Sequence, residues 1–74
     1  MTTKKQQMID RTIAILREEA DLEDLRTISQ APEDMVVTKE QCLEEIANAM
    51  SQNDEAWVAK FLDLVIDASS NTIH

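Results

Sequence analysis

The sequence predicts an all-α protein, a small bundle of three to four helices with no sheet. Glycine is absent from the 74 residues and proline occurs once, at Pro32. Glycine supplies the positive φ angles of tight hairpin turns and bulges, so a small antiparallel sheet would be hard to connect without it. Strong helix formers (Ala, Leu, Glu, Gln, Met, Lys, Arg) dominate instead, and apolar residues recur at helical spacing. Hydrophobic residues make up 43% of the chain, enough for a core, so wholesale disorder is not expected. The length suits one domain, over residues 1–74.

The first helix is expected over residues 3–19, capped by Thr2 or Thr3. Ile9, Ile13, Leu16 and Ala20 form one apolar stripe, and Met8 and Ile15 lie seven apart on a second. Two stripes let a helix touch two neighbours, or its own core and a second subunit. After Ala20 the phase changes: Leu22, Leu25 and Ile28 keep helical spacing but point away from the first stripe. This predicts a break near Ala20–Asp21, with Asp21 capping a second short helix over residues 21–30.

Pro32 ends that segment, because the residue before a proline is biased away from the helical region. Met35, Val36 and Val37 then make a short apolar connector. Thr38 and Gln41 form a capping box opening a third helix over residues 39–51, with Val37 and Cys42 at the hydrophobic-staple positions. Its apolar face is Cys42, Leu43, Ile46, Ala47 and Met50. A fourth helix is expected over residues 54–68, capped by Ser51 or Asn53. Trp57, Phe61, Leu64, Val65 and Ala68 should line its inner face, widened by Val58, Leu62 and Ile66, with Lys60, Asp63 and Asp67 on the wet side. Residues 69–74 read as a frayed tail. Trp57 and Phe61 are expected to anchor the core; if aliphatic residues fill it instead, an exposed Trp57 becomes an interface hot spot.

The net charge of −8 is unevenly distributed. Residues 1–17 carry Lys4, Lys5, Arg11 and Arg17 against Asp10, a net of +3. Residues 18–34 carry Glu18, Glu19, Asp21, Glu23, Asp24, Glu33 and Asp34 against Arg26, a net of −6. Such a field disfavours nucleic acid and anionic membranes and favours basic protein surfaces. Those seven acids are the candidate partner-binding surface. Acidity also keeps a small protein soluble, so charge alone does not establish binding. Glu19/Glu23, Glu40/Glu44 and Asp63/Asp67 have the i, i+4 spacing that could imitate neighbouring phosphates.

Catalytic chemistry is not expected. Cys42 is the only cysteine and sits on an apolar face, where it reads as a core thiol. His74 is the only histidine and the last residue, a poor place for a general base. The acidic run 18–24 lacks the glycine of a helix–loop–helix calcium site, and a phosphate-cradling loop is excluded likewise. No Cys/His cluster suggests a zinc site. Size, acidity and helicity are those of acyl carrier proteins, but no serine directly follows an aspartate, and Asp67-Ala68-Ser69 is only a loose echo of their Asp-Ser-Leu-type motif. Neither cofactor nor metal is expected. No apolar run follows Lys4 and Lys5 as in a signal peptide, and no stretch is long enough to span a bilayer. With its single thiol, the chain is read as cytoplasmic.

The leading expectation is a small acidic binding or inhibitory protein that occludes a basic surface of a partner protein. By analogy of size and charge, it is of the kind phages and mobile elements encode. A homodimer is expected because a core this small seldom supplies more than about 3–5 kcal/mol. Met8, Ile15, Leu22 and Trp57 are the candidate self-association residues. The alternatives are a self-associating structural or adaptor module whose charge only solubilises it, and a DNA mimic inhibiting a nucleic-acid-binding protein.

Overall fold

The computed structural model describes residues 3–32 and 34–71. Four helices occur among them: α1 (Lys4–Glu19), α2 (Leu22–Ser29), α3 (Lys39–Gln52) and α4 (Glu55–Asn71). No strand is present among the described residues, so the fold is the expected all-α bundle.

Local chemistry sets most of the boundaries. The Thr3 hydroxyl accepts from the Gln6 N–H at 3.1 Å and caps α1. Ala20 is extended (φ −96°, ψ 139°) and breaks the chain where the apolar phase changes. The Asp21 carboxylate accepts from the Asp24 N–H at 2.9 Å, opening α2. Both halves of the α3 capping box form: Gln41 N–H donates to the Thr38 hydroxyl at 3.2 Å, and Thr38 N–H donates to Gln41 Oε1 at 2.8 Å. Two expectations for α4 are corrected. Its cap is Asp54, whose carboxylate accepts from the Trp57 N–H at 2.8 Å. Ser51 is still inside α3, and Asn53 closes it, with Nδ2 donating to the Ala49 carbonyl at 2.6 Å. Residues 69–71, read as frayed tail, extend α4; residues 72–74 lie outside the described residues.

α2 ends on an unusual residue. Gln30 takes the left-handed conformation (φ 60°, ψ 35°), in which a helix-ending residue is usually glycine. Its N–H donates to the Thr27 carbonyl, and the Ala31 N–H reaches back to Arg26. This arrangement satisfies the open carbonyls of the last turn.

α1 packs against both α3 and α4, and α2 packs against α3. Polar contacts fix the directions. Lys4 meets Glu55 at 4.0 Å, joining the starts of α1 and α4, while Glu19 and Ala20 share a groove with Ala68 and Ser69 near both ends. These two helices therefore run parallel. α3 runs the other way: Lys5 Nζ donates to the Ser51 carbonyl at 2.7 Å, and Arg17 meets Glu40 at 3.1 Å. The molecule measures 37 × 33 × 18 Å. With interaxial distances of about 8–10 Å, the thin direction holds only two helix layers, so a helix can be covered on one side and bare on the other.

The core is aliphatic. Ile9, Leu16, Leu25, Cys42, Leu43, Ile46, Met50, Val58, Leu62 and Val65 are buried, with Met8, Ile13 and Ile15 packed against them. Thr12 is buried too, although it reads as polar in the sequence. Its hydroxyl donates to the Met8 carbonyl at 2.7 Å, so it enters the core without an unsatisfied polar group.

Candidate partner-binding surfaces

The acidic block does not form one surface. Glu18 and Glu19 close α1, and Glu23 and Asp24 occupy the first turn of α2, where the positive end of the helix dipole favours acids. The Asp21 carboxylate is engaged in capping. Glu19 and Asp24 line a groove between α1, α2 and α4. Glu23 lines a separate depression with Leu22 and Arg26. Asp34 is exposed, in a turn closed by the Met35 N–H donating to the Pro32 carbonyl. Glu33 lies outside the described residues.

The break at Ala20 also changes the reading of Glu19 and Glu23. They belong to different helices, so the i, i+4 spacing that suggested paired phosphates does not apply to them. Glu40, from a second such pair, is drawn toward Arg17.

Arg17 pairs with Glu40, Lys39 Nζ donates to the Arg17 carbonyl at 2.9 Å, and an Arg26 amino group donates to the Pro32 carbonyl at 3.0 Å. Glu18, Glu19, Glu23 and Asp24 are exposed and form no ion pair among the described residues. Two apolar side chains stand beside them: Leu22 and Ile28 are 38% and 39% exposed.

A second surface runs along α4 and overturns an expectation. Val58, Leu62 and Val65 are buried, whereas Trp57 is 41% and Leu64 63% exposed. Phe61 is half-buried and Ala68 exposed. Of the face assigned to the core, only Val65 is fully inside, and the aliphatics flanking it do most of the filling. Trp57, Phe61, Leu64 and Ala68 recur at i, i+4, i+7 and i+11 and form one stripe, in which Phe61 packs against the core as expected and the other three stand exposed. The Trp57 and Phe61 rings stack, with centroids 5.4 Å apart and planes at 20°. Beside the C-terminal half of the stripe is the groove, about 470 Å³, where Phe61, Leu64 and Ala68 face Ile15 of α1 and Ile28 of α2.

Of the four candidate self-association residues, Leu22 and Trp57 are exposed, while Met8 and Ile15 are half-buried against the core. Cys42 is sealed in the core at 2% exposure, and His74 lies outside the described residues. Among the described residues no three His, Cys, Asp or Glu side chains gather as metal ligands, and no helix is long and apolar enough to cross a membrane. The outward stripe was findable: a 17-residue helix with apolar residues at 57, 58, 61, 62, 64, 65 and 68 has two adjacent stripes and room inside for one. Comparison with protein-family models, with curated proteins and with solved structures gives no match.

Proposed function

We propose that this is a non-catalytic binding protein that occludes a basic surface of a partner protein, using the edge formed by the end of α1 and by α2. One observation supports this above the rest. Exposed carboxylates without an ion pair among the described residues stand on both flanks of α2: Glu19 and Asp24 on the groove with the exposed Ile28, and Glu23 beside the exposed Leu22. Charges left without partners keep their field available to an incoming cationic surface, and that field raises the encounter rate. Leu22 and Ile28 supply short-range contact once the surfaces meet, at about 25 cal/mol per Å² of apolar area removed from water. The same field repels nucleic acid and anionic lipid.

The test is capture of the partner from cell extract with the wild type and with the triple reversal E19K/E23K/D24K. Capture should be strong at about 0.01 M salt, where the Debye length is about 30 Å, and lost near 1 M, where it is about 3 Å. The triple reversal should weaken it by about tenfold or more at low salt. Binding that is unchanged by both removes the acidic edge as the mechanism.

A further inference from the structure

The α4 stripe has a polarity of its own. Toward its Trp57 end the stripe is flanked by a cation, Lys60, which is exposed. At its Ala68 end stand anions: Glu19 and Asp24 on the groove, and Asp67 on α4 itself. Lys60 and Asp67 are seven residues apart, so they lie on the same flank of the stripe. A uniformly basic partner laid along this flank would meet like charge at Lys60.

We propose that this face is covered by a second copy of the chain, with the two α4 helices antiparallel about a two-fold axis passing between Phe61 and Leu64. This register sets Trp57 of each copy against Ala68 of the other, and Phe61 against Leu64. The largest side chain meets the smallest, as interdigitated packing requires. Symmetry keeps the Lys60 flank of one copy beside the same flank of the other, reversed in direction. Lys60 then lies level with position 65 of the second copy, two residues or about 3 Å along the axis from its Asp67. Lys60 of each copy meets Asp67 of the other. A parallel pairing would instead set Trp57 on Trp57 and Lys60 on Lys60. The interface is isologous, so it closes as a dimer; it shares the groove lined by Glu19, Asp24 and Ile28 with the acidic edge, while Leu22 and Glu23 lie outside it.

Salt separates the two surfaces. Each copy carries −8, and this long-range repulsion is screened before the short-range apolar and Lys60–Asp67 contacts are. Dimerisation should therefore tighten between about 0.01 and 0.15 M salt, the range in which capture by the acidic edge weakens.

Sedimentation equilibrium of the full chain, over roughly 1–500 μM, tests the proposal. The wild type should be a reversible dimer whose Trp57 emission shifts to the blue as the dimer forms. Leu64 is exposed in the monomer, so L64E should keep its helical circular dichroism while weakening association by about thirtyfold, the equivalent of about 2 kcal/mol. K60D should weaken association by roughly tenfold, and K60D/D67K should restore it, since both copies then carry the exchanged pair. A wild type monomeric at every concentration overturns the proposal, including one whose Trp57 emission responds to added polylysine. So does a dimer indifferent to L64E, or a double exchange no tighter than K60D alone.

Discussion

α2 and α4 both expose apolar side chains, but for different reasons. α2 is eight residues long and buries one side chain, Leu25, with Leu22 and Ile28 on its two flanks. Their exposure follows from a narrow contact: a short helix touching one neighbour hides one row, and the rows beside it stay half out. α4 is seventeen residues long and hides a complete row, Val58, Leu62 and Val65. Its second row, Trp57 to Ala68, spans about 16 Å; it touches the core only through Phe61, and Trp57, Leu64 and Ala68 stand exposed. Exposed apolar residues on a short helix thus mark a weakly held element, and on a long helix they mark a second surface.

The most direct way to break that comparison is to remove the one anchor of α2. Leu25→Ala should cost about 2–5 kcal/mol in urea unfolding, whereas Leu64→Ala should change monomer stability by less than about 0.5 kcal/mol. Comparable costs would show that the two exposures have the same origin. In Leu25→Ala, amide exchange of α2 should accelerate most, because a helix of eight residues does not persist without tertiary contact.

A smaller effect tests how far α2 depends on local chemistry. Asp21→Ala removes the carboxylate that accepts from Asp24 N–H and should cost about 1 kcal/mol, seen in α2 exchange before global unfolding. If α2 exchanges no faster, Leu25 burial alone holds it. The smallest effect has the opposite sign. Gln30→Gly relieves a side chain held at φ 60°, partly offset by the greater freedom of glycine in the unfolded chain. A net stabilisation of about 0.5 kcal/mol should raise the unfolding midpoint, and a loss would mean that contacts of the Gln30 side chain outweigh its backbone cost.

Much of this architecture was legible in the residues. Asp21 and the Thr38–Gln41 pair announced two helix starts, Thr2 or Thr3 a third to within one residue, and the phase change after Ala20 announced the break. Each signal works within three or four residues of itself, which is why no tertiary information was needed. The misreadings have the same physics. At 51–54, three of four consecutive polar residues, Ser51, Asn53 and Asp54, could cap a helix, and the choice of Asp54 depends on where α3 gives out. Thr12 reads as polar by its hydroxyl, yet it falls three after Ile9 and four before Leu16, in line with the core. Gln30 is a left-handed cap without glycine, so nothing in its identity pointed to it.

The sequence by itself therefore determined helicity, three of the four helix starts and the distribution of charge along the chain. These follow from hydrogen bonds and side-chain periodicity over a single turn. The tertiary structure alone decided which stripe of α4 lies inside. Both stripes are apolar and about 100° apart on one helix, so neither has a local reason to win. The choice falls to α1, which runs parallel to α4 and fills the space beside Val58, Leu62 and Val65 with its own aliphatics. The same packing divides the acidic block, placing Glu19 and Asp24 on one groove, Glu23 on another surface and Asp21 in a cap, because the break at Ala20 turns one charged run into two helices pointing in different directions.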